Sequence, residues 1–365
     1  MKKIFWCTTC LNMSTRNRIE FDEMGRCNAC VWSEEKKTLD WSRRQKQFKQ
    51  LVKETSTSSE FDVIVPVSGG KDGSYVTWVL KEKYGLNVLN ITCNPPVRSD
   101  LGYQNLENFK KYSKTPLIEI NPPYEVSRKL NKSGFVEQGR PLYGWTTSIF
   151  SAILRIATAF NIRLVMYGEN GEIEYGGSTE SKNRVSFTAE FAKKVFLEGQ
   201  VENTFKSIPK VDKYFWNFDI TGLEKIKMAH WSYFEDWDSY RNYIIAKEKF
   251  GLQENTTQNS GTYTNFAQND NLLYDLHTYL MYLKFGFGRA TQDAGIDIRR
   301  GAMSRDQAIN LAEIYDNELK NDYVDFYLEY YQMSRTEFDK ILDKWANKDL
   351  FEKVDEKWFP KFSIK

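Results

Sequence analysis

From residue 61 the chain alternates short apolar runs with amphipathic stretches. FDVIVPV (61–67), NVLNITC (87–93), PLIEI (116–120) and IRLVMYG (162–168) have strand length and are rich in β-branched residues. Between them, SYVTWVLKEKYG (74–85) reads as a helix that stops with Gly85 at C′. QNLENFKKYSK (104–114) and a stretch from about 145 to 160 read as further helices. This strand–helix rhythm predicts an α/β fold, a parallel sheet covered on both faces. In such sheets ligands sit beyond the carboxyl ends of the strands.

On either side of this core the pattern changes. EEKKTLDWSRRQKQFKQLVKE (34–54) spaces Trp41, Phe48, Leu51 and Val52 as one apolar helix face, and TSTSSE (55–60) reads as a linker. From 178 to 270 the strand–helix rhythm is lost and aromatics crowd together, as in KYFWNFD (213–219) and HWSYFEDWDSY (230–240). That segment is expected to be a mostly helical insert for sugar or partner binding. Residues 271–365 are expected to be helical and to complete the active site, with Ser304 as an N-cap. The expected organisation is therefore 1–40, 41–59, 60–177, 178–270 and 271–365.

Composition narrows the class. The longest apolar runs, such as 149–159, are interrupted by Ser151, Arg155 and Thr158, well short of the roughly 18 residues a membrane span needs. The opening MKKIFWCTTC has no apolar segment behind its lysines, so no secretory leader and a cytoplasmic location are expected. A net charge of +2 disfavours a protein built to hold nucleic acid. The two histidines, His230 and His277, sit in no catalytic arrangement and are expected to be structural.

Four of the five cysteines form CTTC (Cys7, Cys10) and CNAC (Cys27, Cys30), two C-x2-C pairs. That spacing predicts a tetrahedral four-cysteine zinc ribbon with a structural role, since four thiolates leave no open coordination position. Gly25 suits the knuckle turn before the second pair. Cys93 stands alone and reads as a small buried hydrophobe.

The first strand runs straight into SGGKDGS (68–74). Gly69 and Gly70 permit a tight turn and a close backbone approach to a ligand. The next helix begins near Asp72 to Ser74, so its free N–H groups and dipole point at the same place. Ser68 and Ser74 add hydroxyls, Lys71 a cation and Asp72 a magnesium partner. The loop is a phosphate cradle that fits neither the Walker A nor the dinucleotide pattern.

SGGKDGS resembles the pyrophosphate loop, S-G-G-x-D-S, of the N-type ATP pyrophosphatases, with Gly73 inserted before the serine. The resemblance implies a PP-loop (adenine nucleotide alpha hydrolase-like) domain that cleaves ATP between the α and β phosphates. By the same resemblance Ser68, Gly69, Gly70, Lys71, Asp72, Gly73 and Ser74 hold pyrophosphate, while Thr92 to Asn94, including Cys93, lie beside adenine. LVMYGENGEIEYGG (164–177), with Gly168 and Glu169, Glu172 and Glu174, and the basic stretch YLMYLKFGFGRATQDAGIDIRRGAMSRDQAINLAEIYD (279–316) extend the likeness. Together with the knuckles they resemble the N-acetyl sugar amidotransferases of bacterial surface-polysaccharide (lipopolysaccharide, O-antigen) and nonulosonic-acid pathways.

That family turns an acetamido group into an acetamidino group. The resemblance implies ATP, Mg2+ and structural Zn2+ as cofactors and an acetamido sugar as substrate. It implies catalytic roles for Asp72, Lys71, Glu169, Lys284 and Arg289 and substrate contacts for Glu172, Arg299 and Arg300. Asp293 and Asp297 are expected to pair with these arginines. No glutaminase signature is present, so ammonia is expected from a separate glutaminase/cyclase-type pair. The rival reading is a PP-loop tRNA-thiolating enzyme. It is disfavoured because only Cys93 remains for sulfur chemistry once the ribbon is formed.

Overall fold

The computed structural model describes residues 4–206, 209 and 211–364. The chain opens on the two cysteine knuckles, closed by an antiparallel bridge between Trp6 and Met13 and another between Phe21 and Cys27. Helices α1 (Asn28–Glu35) and α2 (Trp41–Thr55) follow; Asp40 caps α2 by accepting from Arg43 N at 2.9 Å. The sheet then begins. β1 (Val63–Pro66) leads to α3 (Lys71–Trp78), which continues through a π turn, Val79–Lys83, to Gly85 at φ +65°. β2 (Val88–Cys93), α4 (Asp100–Ser113) and β3 (Leu117–Ile120) complete one half. Helices α5 (Tyr124–Gln138) and α6 (Tyr143–Ala159) carry the chain back across to β4 (Leu164–Tyr167).

Short helices α7 (Gly171–Tyr175), α8 (Ala189–Val195) and α9 (Val201–Thr204) precede β5 (Lys227–His230) and α10 (Ser239–Phe250). The C-terminal part is α11 (Tyr274–Phe285), α12 (Arg289–Arg299), α13 (Arg305–Tyr315), α14 (Asn321–Tyr331) and α15 (Arg335–Trp345). A hairpin of β6 (Phe351–Val354) and β7 (Lys357–Pro360) ends it. Ser304 is an N-cap, in a reciprocal capping box with Gln307.

The sheet is parallel throughout, in the order β3-β2-β1-β4-β5. The four strands expected are present, and the segment 178–270 contributes a fifth. β5, KMAH, is short, with an intermediate burial at both ends, and offers no alternating run long enough to read. It ends the run of strands, paired with β4 and bridged on its other side to Phe187 through Met228. Helix α5 also escaped the sequence pattern.

Both sheet faces are covered, as the near-continuous apolar strands require. On one face Val63 and Val65 pack with Phe48, Val76, Val79, Trp231 and Phe250. On the other Ile64, Leu89, Ile91 and Val165 pack with Ala152, Ala157, Phe187 and Phe191. A separate core joins α5, α11, α14 and α15 around Phe135, Leu280, Leu283, Tyr327, Tyr331 and Phe338. No helix among the described residues is long and apolar enough to cross a membrane.

Candidate functional site

The chain runs outward from β1 to β3 and then returns to the far side of β1 as β4. The loops after β1 and β4 therefore diverge, and a crevice opens between them. A cavity of about 750 Å³ lies there, within the usual range for ligand sites. Its floor is the glycine loop and the ends of β1, β2 and β4; its roof comes from residues 263–270, α10 and α12.

The loop geometry explains its glycines. Gly69 has φ +89°, and a Cβ there would meet Leu106 N at 2.6 Å. Gly73 lies in the first turn of α3, where a Cβ would come within 2.8 Å of the Pro66 carbonyl oxygen. The missing side chain lets α3 sit tightly on β1 and leaves the cavity edge open. Ser74 is fully buried and turns back, donating to Gly70 O at 2.8 Å. Of the two residues the sequence placed after Asp72, Gly73 lines the cavity and Ser74 does not.

Lys71 and Asp72 form an ion pair through Oδ2, while Asp72 Oδ1 is buried without a partner. Glu169 arrives from the end of β4. Burial and the nearby Asp72 charge push its carboxyl above the usual glutamate range, and Lys71 partly offsets this. Tyr175 donates to Glu169 Oε1 at 3.1 Å. Gly168 brings the two loops together: a Cβ there would stand 3.2 Å from Asp72 Cβ. Two confined carboxylates with an unfilled acceptor oxygen fit a hard divalent cation, which prefers oxygen ligands.

Opposite stands α12. Asp316 caps its start, accepting from Gly288 N at 2.9 Å, Thr291 N at 3.1 Å and Thr291 Oγ1 at 2.5 Å. Arg289 is thereby fixed, and Asp293 holds its Nε at 2.9 and 3.0 Å. Asp297 pairs with Arg300 at 3.3 Å and accepts from Tyr263 at 2.7 Å. Both aspartates pair with arginines as expected from the sequence.

The cavity thus brings together Ser68, Gly70, Lys71, Asp72, Gly73, Thr92, Cys93, Glu169, Arg289 and Arg300. Of the other expected residues, Gly69, Ser74 and Gly168 belong to the segments beside the cavity without lining it, and Lys284, Glu172 and Arg299 lie elsewhere. Lys284 donates to Gln138 O at 2.9 Å, with its ammonium over Trp345. Glu172 is held by Arg18 at 2.8 Å and by Ser178 N at 2.6 Å. Arg299 donates to Glu174 O at 3.2 Å beside the cysteine cluster. Lys284 and Glu172 point away from the cleft, their directions set by tertiary contacts, whereas Arg299 lines a smaller chamber beside it. Glu174 also faces outward, to Trp32 Nε1 and Lys36.

The sequence did not single out Tyr175, Asp270, Tyr240 or Tyr274, which also line the cleft. Asp270 hydrogen-bonds Ser68, and burial raises its pKa. Its only signal was the polar, Asn-rich run 253–271, too long to be a simple turn. Both histidines are held neutral by burial, His230 down to about 3 and His277 down to about 4. Cys93 is pushed up to about 11 by burial and contacts Ser148 Oγ at 3.5 Å. It is a wall residue, inert as a nucleophile at neutral pH.

The four knuckle cysteines are buried and free of disulfides, and all four sulfurs lie within 4.8 Å of one another. Cys7–Cys30 and Cys10–Cys27 separations are 3.8 and 3.6 Å. A tetrahedral zinc with bonds of about 2.3 Å requires sulfurs about 3.8 Å apart, so the set fits zinc. Backbone N–H groups of Thr9, Cys10, Asn12 and Cys27 point at the sulfurs, as thiolates need. The knuckle is tied to the cleft: Asn12 Nδ2 donates to Tyr175 O at 3.0 Å and Asn28 Nδ2 to Gly177 O at 2.6 Å.

Fold and cleft define an α/β protein with a glycine-rich loop at the switch point of a parallel sheet. Residues 232–363 match the model of a family described as LPS biosynthesis protein WbpG-like, C-terminal domain. A search of curated proteins finds no match. Among solved structures, the chain is similar to the U34-tRNA thiolase NcsA from Methanococcus maripaludis with its 4Fe-4S cluster, at 13% identity and a TM-score of 0.33, over 72% of this chain and 79% of that one.

Proposed function

We propose that the chain is an ATP-dependent, AMP-forming amidotransferase that converts the acetamido group of a surface-polysaccharide sugar to an acetamidino group. The observation that carries this reading is the convergence of Lys71, Asp72, Glu169 and Arg289 on one cavity large enough for two substrates. The match of residues 232–363 to an LPS biosynthesis family supports a sugar as the second substrate.

An amide carbon is a weak electrophile and its oxygen a poor leaving group. The acetamido oxygen attacks the α-phosphorus of ATP, and pyrophosphate departs. The resulting O-adenylyl imidate is attacked at carbon by ammonia. AMP leaves with the former amide oxygen, and the nitrogen sheds its extra proton.

The chain's own residues neutralise and position. The backbone of Ser68 to Gly70, Lys71 and the start of α3 receive the departing pyrophosphate. Arg289, held by Asp293, supplies a fixed cation on the opposite wall. Asp72 Oδ1 and Glu169 are the residues that would hold Mg2+, which when bound neutralises phosphate charge. Glu169, with Tyr175 donating to it, is the proposed acceptor of the proton that ammonia loses. Thr92 and Cys93 wall the adenine side. Ammonia is proposed to come from a separate glutaminase-type partner, and the reaction to proceed in the cytoplasm.

The test is phosphorus NMR of the protein with ATP, magnesium, ammonium and a panel of acetamido sugars. AMP and pyrophosphate that form only with one sugar, recovered as an amidine, are expected. ADP formation, or AMP formation that needs tRNA instead of sugar, would overturn the reading; the latter would favour the thiolation-type alternative.

A further inference from the structure

A second chamber of about 250 Å³ adjoins the main cavity, between α1, the start of α10 and the end of α12. Tyr175, Ser239, Ile296 and Arg300 line both, so the two are separated by single side chains. Most charged groups around the chamber are already matched. Lys36 is paired with Glu174 at 3.1 Å and Asp236 at 3.2 Å. Asp238 is spent on the cap of α10, accepting from Tyr240 N at 2.8 Å and Arg241 N at 3.1 Å.

Two donors in its wall are not matched. Arg299 Nη1 and Trp237 Nε1 are both buried and have no hydrogen-bond partner. Trp237 is only 8% exposed. Its ring edge packs on Gly168, where a Cβ would meet Cη2 at 3.0 Å, so the indole is held rigidly behind the Asp72 loop. A buried N–H without an acceptor is destabilising, more so when charged. Two such donors in one chamber, beside the N-terminus of a twelve-residue helix, call for an oxyanion acceptor, although the charge of Arg299 is already offset by the cysteine cluster and Glu174.

Resting on the reading of the main cavity as an ATP-and-sugar site, we propose that this chamber receives an oxyanion of the second substrate. Arg299 Nη1 and Trp237 Nε1 donate to it. The group is either a carboxylate on the sugar ring or the diphosphate that links the sugar to a nucleotide carrier; both present the same oxygen chemistry. Bound there, it would leave the rest of the sugar to reach past Tyr175 and Arg300 toward Lys71 and Glu169. The site fixes which end of the sugar faces ATP.

The test measures binding without turnover. The zinc-loaded full chain is saturated with α,β-methylene-ATP and titrated by calorimetry with N-acetylneuraminate (a carboxylate), UDP-N-acetylglucosamine (a diphosphate) and N-acetylglucosamine (neutral). One anionic probe is expected to bind at least tenfold more tightly than the neutral one, and which of them does so identifies the source of the oxyanion. Trp237→Phe is expected to weaken that probe about tenfold while leaving α,β-methylene-ATP affinity unchanged. Arg299→Lys, which keeps the charge beside the cysteines, is expected to do the same with zinc content intact. Equal affinity for all three probes, no binding of any, or indifference to both substitutions would overturn the assignment and leave the chamber a water site. If AMP and pyrophosphate nonetheless form with a neutral sugar, the chamber assignment fails while the amidotransferase reading stands.

Discussion

Tyr175 donates its hydroxyl hydrogen to Glu169 at 3.1 Å, while its main-chain carbonyl accepts one from Asn12 at 3.0 Å. Asn12 in turn donates to Cys27 Sγ at 3.3 Å. The metal knuckle is thus three hydrogen bonds from a carboxylate in the cleft. Arg18 on Glu172, Lys36 and Trp32 on Glu174, and Arg16 on Gln292 brace the same region.

Zinc removal should therefore reach the cleft. Structural zinc sites hold metal with about 10–16 kcal/mol, comparable to a whole domain's stability. Cys27→Ser is expected to lose zinc, lower Tm and weaken α,β-methylene-ATP binding severalfold. Elemental analysis and calorimetry on the same preparation check this. Full ATP-analogue affinity in the metal-free protein would contradict the linkage.

Glu169 predicts a pH dependence. Its carboxyl is raised in the folded chain, first by burial and then by Asp72. Protonation therefore favours the fold: its contribution is full below the ordinary value of 4.5 and is lost as pH rises through the raised value. Glu169→Gln is expected to be more stable than the parent at neutral pH, with the difference vanishing in acid. Magnesium should shrink the difference by stabilising the ionised parent. Thermal melts across pH, with and without magnesium, measure both effects, and activity should fall sharply in the same variant.

Gly73 sets two effects against each other. Alanine is about 1 kcal/mol better than glycine inside a helix. The added Cβ would stand 2.8 Å from Pro66 O and 3.0 Å from Val67 Cγ1, an overpacking that costs typically 1–3 kcal/mol. Gly73→Ala is expected to be destabilised by about 1 kcal/mol or more in urea unfolding, against the propensity trend.

Arg289 donates from Nε to both oxygens of Asp293, and lysine, with one nitrogen, cannot keep that contact and present further donors as well. Arg289→Lys is expected to lose about 10²-fold in kcat with little change in Tm. Asp293→Asn should lose activity in the same direction by releasing the guanidinium, and Thr262 and Thr264 also lose their acceptor.

What could be read from the sequence follows from how local each feature is. The strands β1, β2 and β4 are largely buried and nearly continuously apolar, and β3, an edge strand with Glu119 exposed, keeps three apolar residues in four; β5, at the other edge, is four residues long and left no period. The glycine loop was legible because turn, cation and carboxylate are consecutive. The knuckles were legible because metal-ligand spacing is local. Lys284 and Glu172 lie outside the cleft because charge is visible in a sequence while direction is set by partners such as Gln138 and Arg18, far away along the chain. Tyr175 and Asp270 were hidden for the same reason: each matters through a residue distant in the fold or outside any motif.

Attack of the acetamido oxygen on ATP is the step on which the proposed reaction depends. It is tested most directly with a substrate sugar carrying 18O in the acetamido carbonyl and mass spectrometry of the released AMP. Transfer of one 18O atom into the AMP phosphate is the predicted result. AMP carrying only solvent oxygen, with the amidine still formed, would contradict it.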